Sequence, residues 1–170
     1  MIRRTILGVL GVAAFSRPSI SSISQPYQGA REVAQRYSTH FMRRDISTMD
    51  ASMNPVFRKL LAAKGLTGRE YLERRDAVYF SEETTTISED IREVELLASP
   101  NLIIAIAPRI RHIDYGVHVS ERKGIYLLMS EDGARRWTVY DNDCSHDAFL
   151  ELLRPDVDWA PVVTKYTELP

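Results

Sequence analysis

The pattern of apolar and polar positions is clearest between residues 126 and 143, where it predicts a β-hairpin. Tyr126–Met129 is an unbroken apolar run, which is typical of a strand buried on both faces. From Arg136 to Asp141 the chain has a period of two and contains β-branched and aromatic residues, which favours a second strand. Glu131–Gly133 lies between them and predicts a tight turn, because glycine tolerates a positive φ and aspartate can bond its own backbone.

Helical spacing dominates the chain before residue 84. Apolar residues recur three and four positions apart over residues 29–44, which predicts an amphipathic helix with one buried face. Asp45 can cap a second helix, and Asn54-Pro55 ends it, since the residue before a proline is disfavoured in the α region. A short turn of helix follows and ends at Gly65.

A capping box begins the next helix. Thr67 and Glu70 have the spacing at which each side chain bonds the backbone amide of the other residue. We expect this helix to run from about residue 68 to 83. Another short helix is expected after Ser145, ending at Arg154-Pro155.

Strand patterns fill the region between the helices and the hairpin. Val94–Ala98 alternates and predicts a half-buried strand, and Leu102–Ala107 is an apolar run suited to a central strand. Pro108 has no N–H for a strand ladder, so it predicts a bulge or an edge position. The strand that enters the hairpin is expected to be interrupted by the charged residues Glu121–Gly124.

This order of elements predicts the α+β class. Helices come first and an antiparallel meander follows, so N-terminal helices should pack on one face of a curved sheet of about four strands. We expect a single domain over residues 28–154 and an extended C-terminal tail over residues 155–170. Residues 1–25 are expected to form a separate targeting segment.

The targeting prediction depends on the first residues of the sequence. Arg3 and Arg4 precede an apolar stretch, Thr5–Phe15, and the first acidic residue is Glu32. A charged start, a short apolar middle and a polar exit are typical of a secretory signal, and the stretch is too short to span a bilayer. We therefore expect an exported protein, periplasmic or secreted, without a transmembrane helix. The arginine- and serine-rich composition also fits the alternative of an organellar transit peptide.

Charge and cysteine content exclude several classes of function. The formal net charge is −1, so there is no electrostatic basis for binding nucleic acid or an anionic membrane. Cys144 is the single cysteine of the sequence, which rules out an intramolecular disulfide. The polar run from Asp141 to Asp147 lacks the glycine of a calcium loop, and one cysteine with one histidine is not a zinc set. We expect no metal, and no glycine-rich loop points to a nucleotide cofactor.

Several short signatures in order resemble the nuclear-transport-factor-2-like superfamily, the cystatin-like cone fold, and above all its small exported members. They are a first helix that ends in Arg43-Arg44-Asp45, a methionine-rich helix, the sequences NPVF and GRE, and a final SEDG with a tryptophan. The resemblance covers residues 28–153. It implies a cone-shaped fold whose mouth holds an apolar ligand, and homodimers through the sheet. Catalytic members place Asp, His and Tyr inside the cone, but their motifs do not match this chain, so the resemblance implies no catalytic residue.

The hairpin also resembles the Asp-box of sialidases. Ser130, Asp132 and Trp137 have the spacing of that motif, but it occurs once and Ala134 stands where the motif has glycine. A propeller needs repeated blades, so we interpret the resemblance as turn chemistry and not as a glycosidase signal.

Six residues are candidates for a binding pocket. They are Tyr37, Phe41, Tyr71, His112, Trp137 and Asp141. His112 and Asp141 would form an acid–base pair if both pointed into the cone, and the aromatic residues would either line a pocket or belong to the core. Arg109 and Arg111, by contrast, are expected to be solvated.

Three functions follow from these observations. The first hypothesis is an exported, non-catalytic domain that binds a small apolar ligand or a protein partner. The second is an acid–base lyase or isomerase that acts inside the cone. The third is a structural dimerisation module.

Overall fold

The computed structural model describes residues 21–81, 84, 86–99, 102–143, 148–153, 155, 158–160 and 163–164. The helices of this part are α1 (Ser21–Met42), α2 (Ile46–Ser52), α3 (Pro55–Ala63), α4 (Gly68–Tyr79) and α5 (Ala148–Leu153). The strands are β1 (Thr86–Ile91), β2 (Glu95–Ser99), β3 (Leu102–Asp114), β4 (Val119–Ser130) and β5 (Thr138–Asn142). Among the helices described, none is long and apolar enough to cross a membrane.

The strands form one antiparallel sheet with β3 at its centre. β4 pairs with one edge of β3, and β5 pairs with the far edge of β4. The other edge of β3 is shared, because β2 pairs with its first half and β1 with its second half. The α+β prediction is therefore confirmed, with five strands in the sheet instead of about four.

Two details of the sheet differ from the sequence prediction. β1 was not predicted as a strand, because its centre, Ser88–Asp90, is polar. β4 is continuous through Glu121–Gly124, so the predicted interruption there is wrong. Charged residues are accommodated in this stretch because Glu121 and Arg122 are exposed.

Pro108 lies where the shared edge of β3 changes partner. Its carbonyl accepts a hydrogen bond from the amide of Arg92 at 2.8 Å, in the segment that joins β1 to β2. In an antiparallel strand the amide and carbonyl of one residue point to the same side, so the missing N–H of Pro108 faces the break between β1 and β2. On the other side the pairing with β4 continues, and Pro108 lies opposite Ile125.

The predicted helix caps are confirmed. The carboxylate of Asp45 accepts a hydrogen bond from the amide of Thr48 at the start of α2. Thr67 and Glu70 form the predicted capping box at the start of α4. The boundaries are less accurate, since α1 begins at Ser21, within the expected targeting segment, and α4 ends at Tyr79.

The turn of the hairpin has the predicted chemistry but is longer than the expected tight turn, since β4 ends at Ser130 and β5 begins only at Thr138. The Asp132 carboxylate accepts hydrogen bonds from the amides of Arg135 and Arg136 and from the Ser130 hydroxyl. The Ser130 hydroxyl in turn accepts from the amide of Ala134, at 3.0 Å. These bonds hold positive φ values at Gly133 and Ala134.

Both faces of the sheet are buried along its centre. We call the face that α1 covers the inner face; there Tyr37 of α1 meets Tyr126 of β4 edge-on at 5.1 Å. On the outer face Tyr140 of β5 contacts Phe149 of α5, with ring centroids 4.1 Å apart. The chain after residue 155 also contributes to the core, since Trp159 is only 1% exposed. That segment, expected to be extended, has helical backbone at residues 159–160 and 163–164.

Candidate functional site

The inner face of the sheet carries a cluster of buried charges. Arg109 and Arg111 of β3 are both fully buried, with 0% of each residue exposed. The expectation that they are solvated is therefore wrong. They alternate with Ile110, so strand geometry places both guanidinium groups on the same face of the sheet.

Asp141 of β5 is the central anion of this cluster. One of its oxygens accepts hydrogen bonds from Arg109 Nε at 3.0 Å and Nη2 at 2.5 Å. The other oxygen accepts from Arg111 Nη2 at 2.7 Å and from Arg75 Nη1, on α4, at 2.6 Å. Asp141 thus joins one helix and two strands through three guanidinium groups.

Glu89 of β1 supplies the second buried carboxylate. It lies opposite Arg111 in the register of β1 and β3, and it accepts a hydrogen bond from Arg111 Nε. The hydroxyl of Tyr126 donates to Glu89 at 2.5 Å and accepts from Arg111 Nη2 at 3.0 Å. β1, β3, β4, β5 and α4 are all connected by this network.

Aromatic rings enclose the guanidinium groups. The Cζ of Arg111 lies 3.8 Å from the centroid of the Phe41 ring and 4.8 Å from that of Tyr79. The Cζ of Arg109 lies 5.3 Å from the centroid of Tyr126. A cation over the face of an aromatic ring is stabilised by the ring quadrupole, most strongly when water is excluded.

Gly124 leaves the space that the Arg109 side chain occupies. It lies opposite Arg109 in the pairing of β3 with β4. A Cβ at this position would come within 2.6 Å of the Arg109 Cζ and 2.7 Å of both terminal nitrogens. Glycine is therefore required for the guanidinium group to lie against the β4 backbone.

The cluster fixes the ionisation of its members. Burial alone would raise the pKa of Asp141, but Arg109, Arg111 and Arg75 outweigh it and hold the pKa well below its usual value. Burial alone would likewise lower the pKa of Arg109, yet Asp141 raises it. Burial raises the pKa of Tyr126 well above its usual value, so its hydroxyl keeps its proton.

Asp143 stands where the cluster reaches solvent. Its side chain is 47% exposed, and it accepts hydrogen bonds from Arg109 Nη2 at 2.5 Å and from the Tyr79 hydroxyl at 2.9 Å. Arg111 Nη1 is 3.9 Å from the same carboxylate, which is too far for a hydrogen bond. The exposed Arg122 lies over the Tyr79 ring, with its Cζ 5.5 Å from the centroid. We call Tyr79, Arg109, Arg111, Arg122 and Asp143 the rim cluster.

Three of the six candidate residues come together in the interior. Asp141 binds the arginines, Phe41 covers Arg111, and Tyr37 lies against Tyr126. Tyr71, one turn before Arg75 on α4, is half-buried and packs edge-on against Phe57 at 5.1 Å. Burial, opposed by Arg75, raises the pKa of Tyr71 to about 12.

His112 lies apart from this group, whereas Trp137 lies beside it at Tyr37. His112 follows Arg111 in β3, so its side chain points to the opposite face of the sheet. It contacts Glu121 at 3.2 Å and Asp90 at 3.4 Å. The proposed acid–base pair of His112 and Asp141 is therefore not formed. Trp137 borders a cavity of about 120 Å³ together with Tyr37 and His40, and its buried Nε1 has no hydrogen-bond partner among the residues described.

A larger cavity lies at the turn end of the hairpin. Its volume is about 510 Å³, and it is bordered by the start of α3, the end of α5 and the β4–β5 turn. The apolar part of its wall consists of Pro55, Val56, Leu102, Met129 and Leu153. Asn54, Glu131, Asp132, Arg136 and Thr138 complete the wall. Asn54 is held in place, since its amide donates to Thr138 Oγ1 at 3.0 Å.

The described residues contain no group of three or more His, Cys, Asp or Glu side chains placed to hold a metal ion. The loop residues Cys144–Asp147 of the polar run in the sequence lie outside the described residues.

Sequence reasoning missed Arg75, Glu89, Arg109, Arg111 and Tyr126 as members of one site. The available signal was weak. In α4 the buried positions Leu72, Asp76 and Tyr79 have helical spacing, and Arg75 lies on the same face. Leu72 and Tyr79 on that face were the one indication that its charged residues are buried.

Neither a family model, nor a curated protein, nor a solved structure matches this chain.

Proposed function

We propose that this protein is a non-catalytic binding domain for a small, mainly apolar molecule. The observation that carries the proposal is the cavity of about 510 Å³ at the turn end of the hairpin. Its volume lies in the range of ligand sites, and half of the residues in its wall are apolar. The apolar side chains of Val56 and Met129 would contact the ligand, and Arg136 and Thr138 would orient it.

The interior of the fold supports binding over acid–base catalysis. A general base must have a pKa near the working pH, whereas the pKa of Asp141 is held far below its usual value. Its oxygens are already occupied by Arg75, Arg109 and Arg111. The hypothesis of a lyase or isomerase therefore has less support than binding in the cavity.

Export and dimerisation belong to the proposal as predictions. We infer an exported protein from the targeting pattern of residues 1–25. Dimerisation through the sheet would have to use surface that α5 leaves open, since Phe149 already covers Tyr140 on the outer face.

The experiment is a titration with N-phenyl-1-naphthylamine, a neutral probe whose fluorescence rises in apolar surroundings. We expect the wild-type protein to bind the probe with a Kd in the micromolar range. Val56→Trp would fill part of the cavity and weaken binding by about tenfold or more, which corresponds to about 1.4 kcal/mol. Val78→Trp is the matched control, because Val78 is 57% exposed on α4 and is absent from the cavity wall.

Equal probe binding by the wild-type protein and the Val56→Trp variant would refute the assignment of the cavity. Native mass spectrometry of protein from its natural source would then identify the physiological ligand or a protein partner.

A further inference from the structure

The rim cluster has more cationic donors than its anion can satisfy. Asp143 receives hydrogen bonds from Arg109 Nη2 and the Tyr79 hydroxyl, but Arg111 Nη1 is left at 3.9 Å. Arg111 Nη1 is fully buried and has no hydrogen-bond partner among the described residues. A buried guanidinium N–H without an acceptor destabilises the protein, so the site is incomplete as it stands.

The charge count of the interior points the same way. Within the network around Asp141 the cations are Arg75, Arg109 and Arg111 and the anions are Glu89 and Asp141, which leaves one positive charge. The other buried carboxylate, Asp76, is paired with the exposed Arg44 and does not contribute to this excess. The half-exposed Asp143 is the group that balances it.

The exposed Arg122 was not included in this charge count. It adds a further cation beside Tyr79 and forms no ion pair with a described residue. The position of the Asp143 carboxylate therefore favours a negative charge, because the surrounding arginines carry an excess of positive charge.

We propose that the rim cluster is a binding site for a small oxyanion, the carboxylate or phosphate group of a small molecule. In this site the Asp143 carboxylate is an internal occupant that a ligand anion displaces. An oxyanion has several acceptor oxygens, so it can bond Arg109 Nη2 and Arg111 Nη1 at once, which one oxygen of Asp143 does not do. Arg122 and the Tyr79 hydroxyl complete the set of donors. This site is separate from the apolar cavity, and the proposal does not depend on it.

The tyrosine is suited to this role because it stays neutral. Burial raises the pKa of Tyr79, with Arg111 opposing and Asp143 adding to the shift. The hydroxyl therefore keeps its proton at neutral pH and donates to an anion.

The test compares the wild-type protein with Asp143→Asn in titrations with inorganic phosphate and with acetate. Chloride keeps the ionic strength constant, and the side-chain resonances of the arginines report binding. We expect Asp143→Asn to bind the added anion at least about tenfold more tightly than the wild-type protein, because a charge-assisted hydrogen bond is freed. Adding Arg122→Gln to this variant should weaken binding several-fold, as expected for the loss of one cation at the site.

Asp90→Asn is the matched control, since Asp90 is an exposed aspartate beside His112 and is not part of the rim cluster. It should leave anion binding unchanged. Tighter binding of phosphate than acetate would indicate a phosphate-bearing ligand, and the reverse would indicate a carboxylate; both support the site. The proposal is overturned if neither anion shifts the Arg111 resonances of Asp143→Asn, or if the variant and the wild-type protein bind equally.

Discussion

Asp141→Asn tests whether the buried cluster stabilises the fold. The asparagine has the same shape but no charge, and only one of its two side-chain groups is an acceptor. The amide oxygen of the asparagine can accept the hydrogen bonds of one carboxylate oxygen of Asp141. Its NH₂ group replaces the other oxygen and cannot accept from the arginine donors there. Because each oxygen of Asp141 accepts from two arginine nitrogens, the substitution removes two charge-assisted hydrogen bonds.

The expected loss of stability follows from this count. A hydrogen bond to a charged group contributes about 1.5–3 kcal/mol, so two of them give about 3–6 kcal/mol. Removal of one partner from a buried ion pair costs about 3–5 kcal/mol, which agrees with this range. Since domains are stable by about 5–15 kcal/mol, we expect Asp141→Asn to fold but to lose a large part of its free energy of unfolding.

Urea unfolding at pH 7 measures the effect. Trp159, which is 1% exposed, reports the core by its fluorescence, and circular dichroism reports the helices. Asp90→Asn is the control. Among the described residues Asp90 forms one ion pair, with the partly exposed His112, and its own side chain is 66% exposed. The substitution should therefore change the free energy of unfolding by less than about 1 kcal/mol. A loss below about 1 kcal/mol for Asp141→Asn would refute the idea that the cluster holds the sheet and α4 together.

Three further outcomes are expected. The folded pKa of Asp141 lies below its unfolded value near 3.8, so the stability advantage of the wild-type protein over Asp141→Asn is complete near pH 6. Urea unfolding should show that advantage shrinking as the pH falls below about 4, and a constant difference would contradict the assigned ion pairs. Gly124→Ala should cost about 1–3 kcal/mol in the same assay because its Cβ would overlap the guanidinium of Arg109. Gly29→Ala is its control: it has ordinary contact distance at 3.5 Å and should stabilise α1 by up to about 1 kcal/mol, so equal losses would refute the steric argument. Thr67→Ala should lose about 1 kcal/mol in thermal or urea unfolding, and no loss would mean that the capping box contributes nothing.

The sequence was informative wherever structure depends on neighbouring residues. The Thr67–Glu70 box and the Asp45 cap form over three residues, so their spacing alone identifies them. The turn at Ser130–Asp132 is equally local. The α+β class followed because helical and strand periods occupy separate parts of the chain.

The interior cluster could not be predicted from a single sequence. Arg109 and Arg111 have the pattern of a solvated strand, and what buries them is contributed from distant positions. Asp141 lies 30 residues from Arg111 and 66 from Arg75, and Glu89 lies 22 from Arg111. Nothing in the local pattern indicates that these charges meet. β1 was missed for the same reason, since Glu89 is an inward-facing charge in a strand with few apolar residues.

The covering of the outer face by α5 has a consequence for protein synthesis. Tyr140 is shielded by Phe149, and Trp159 joins the core later still in the chain. A nascent polypeptide that has reached only β5 therefore exposes an apolar sheet surface to other nascent chains. During that interval chaperones that recognise apolar strands would protect it, and translation pauses before residue 148 would promote aggregation.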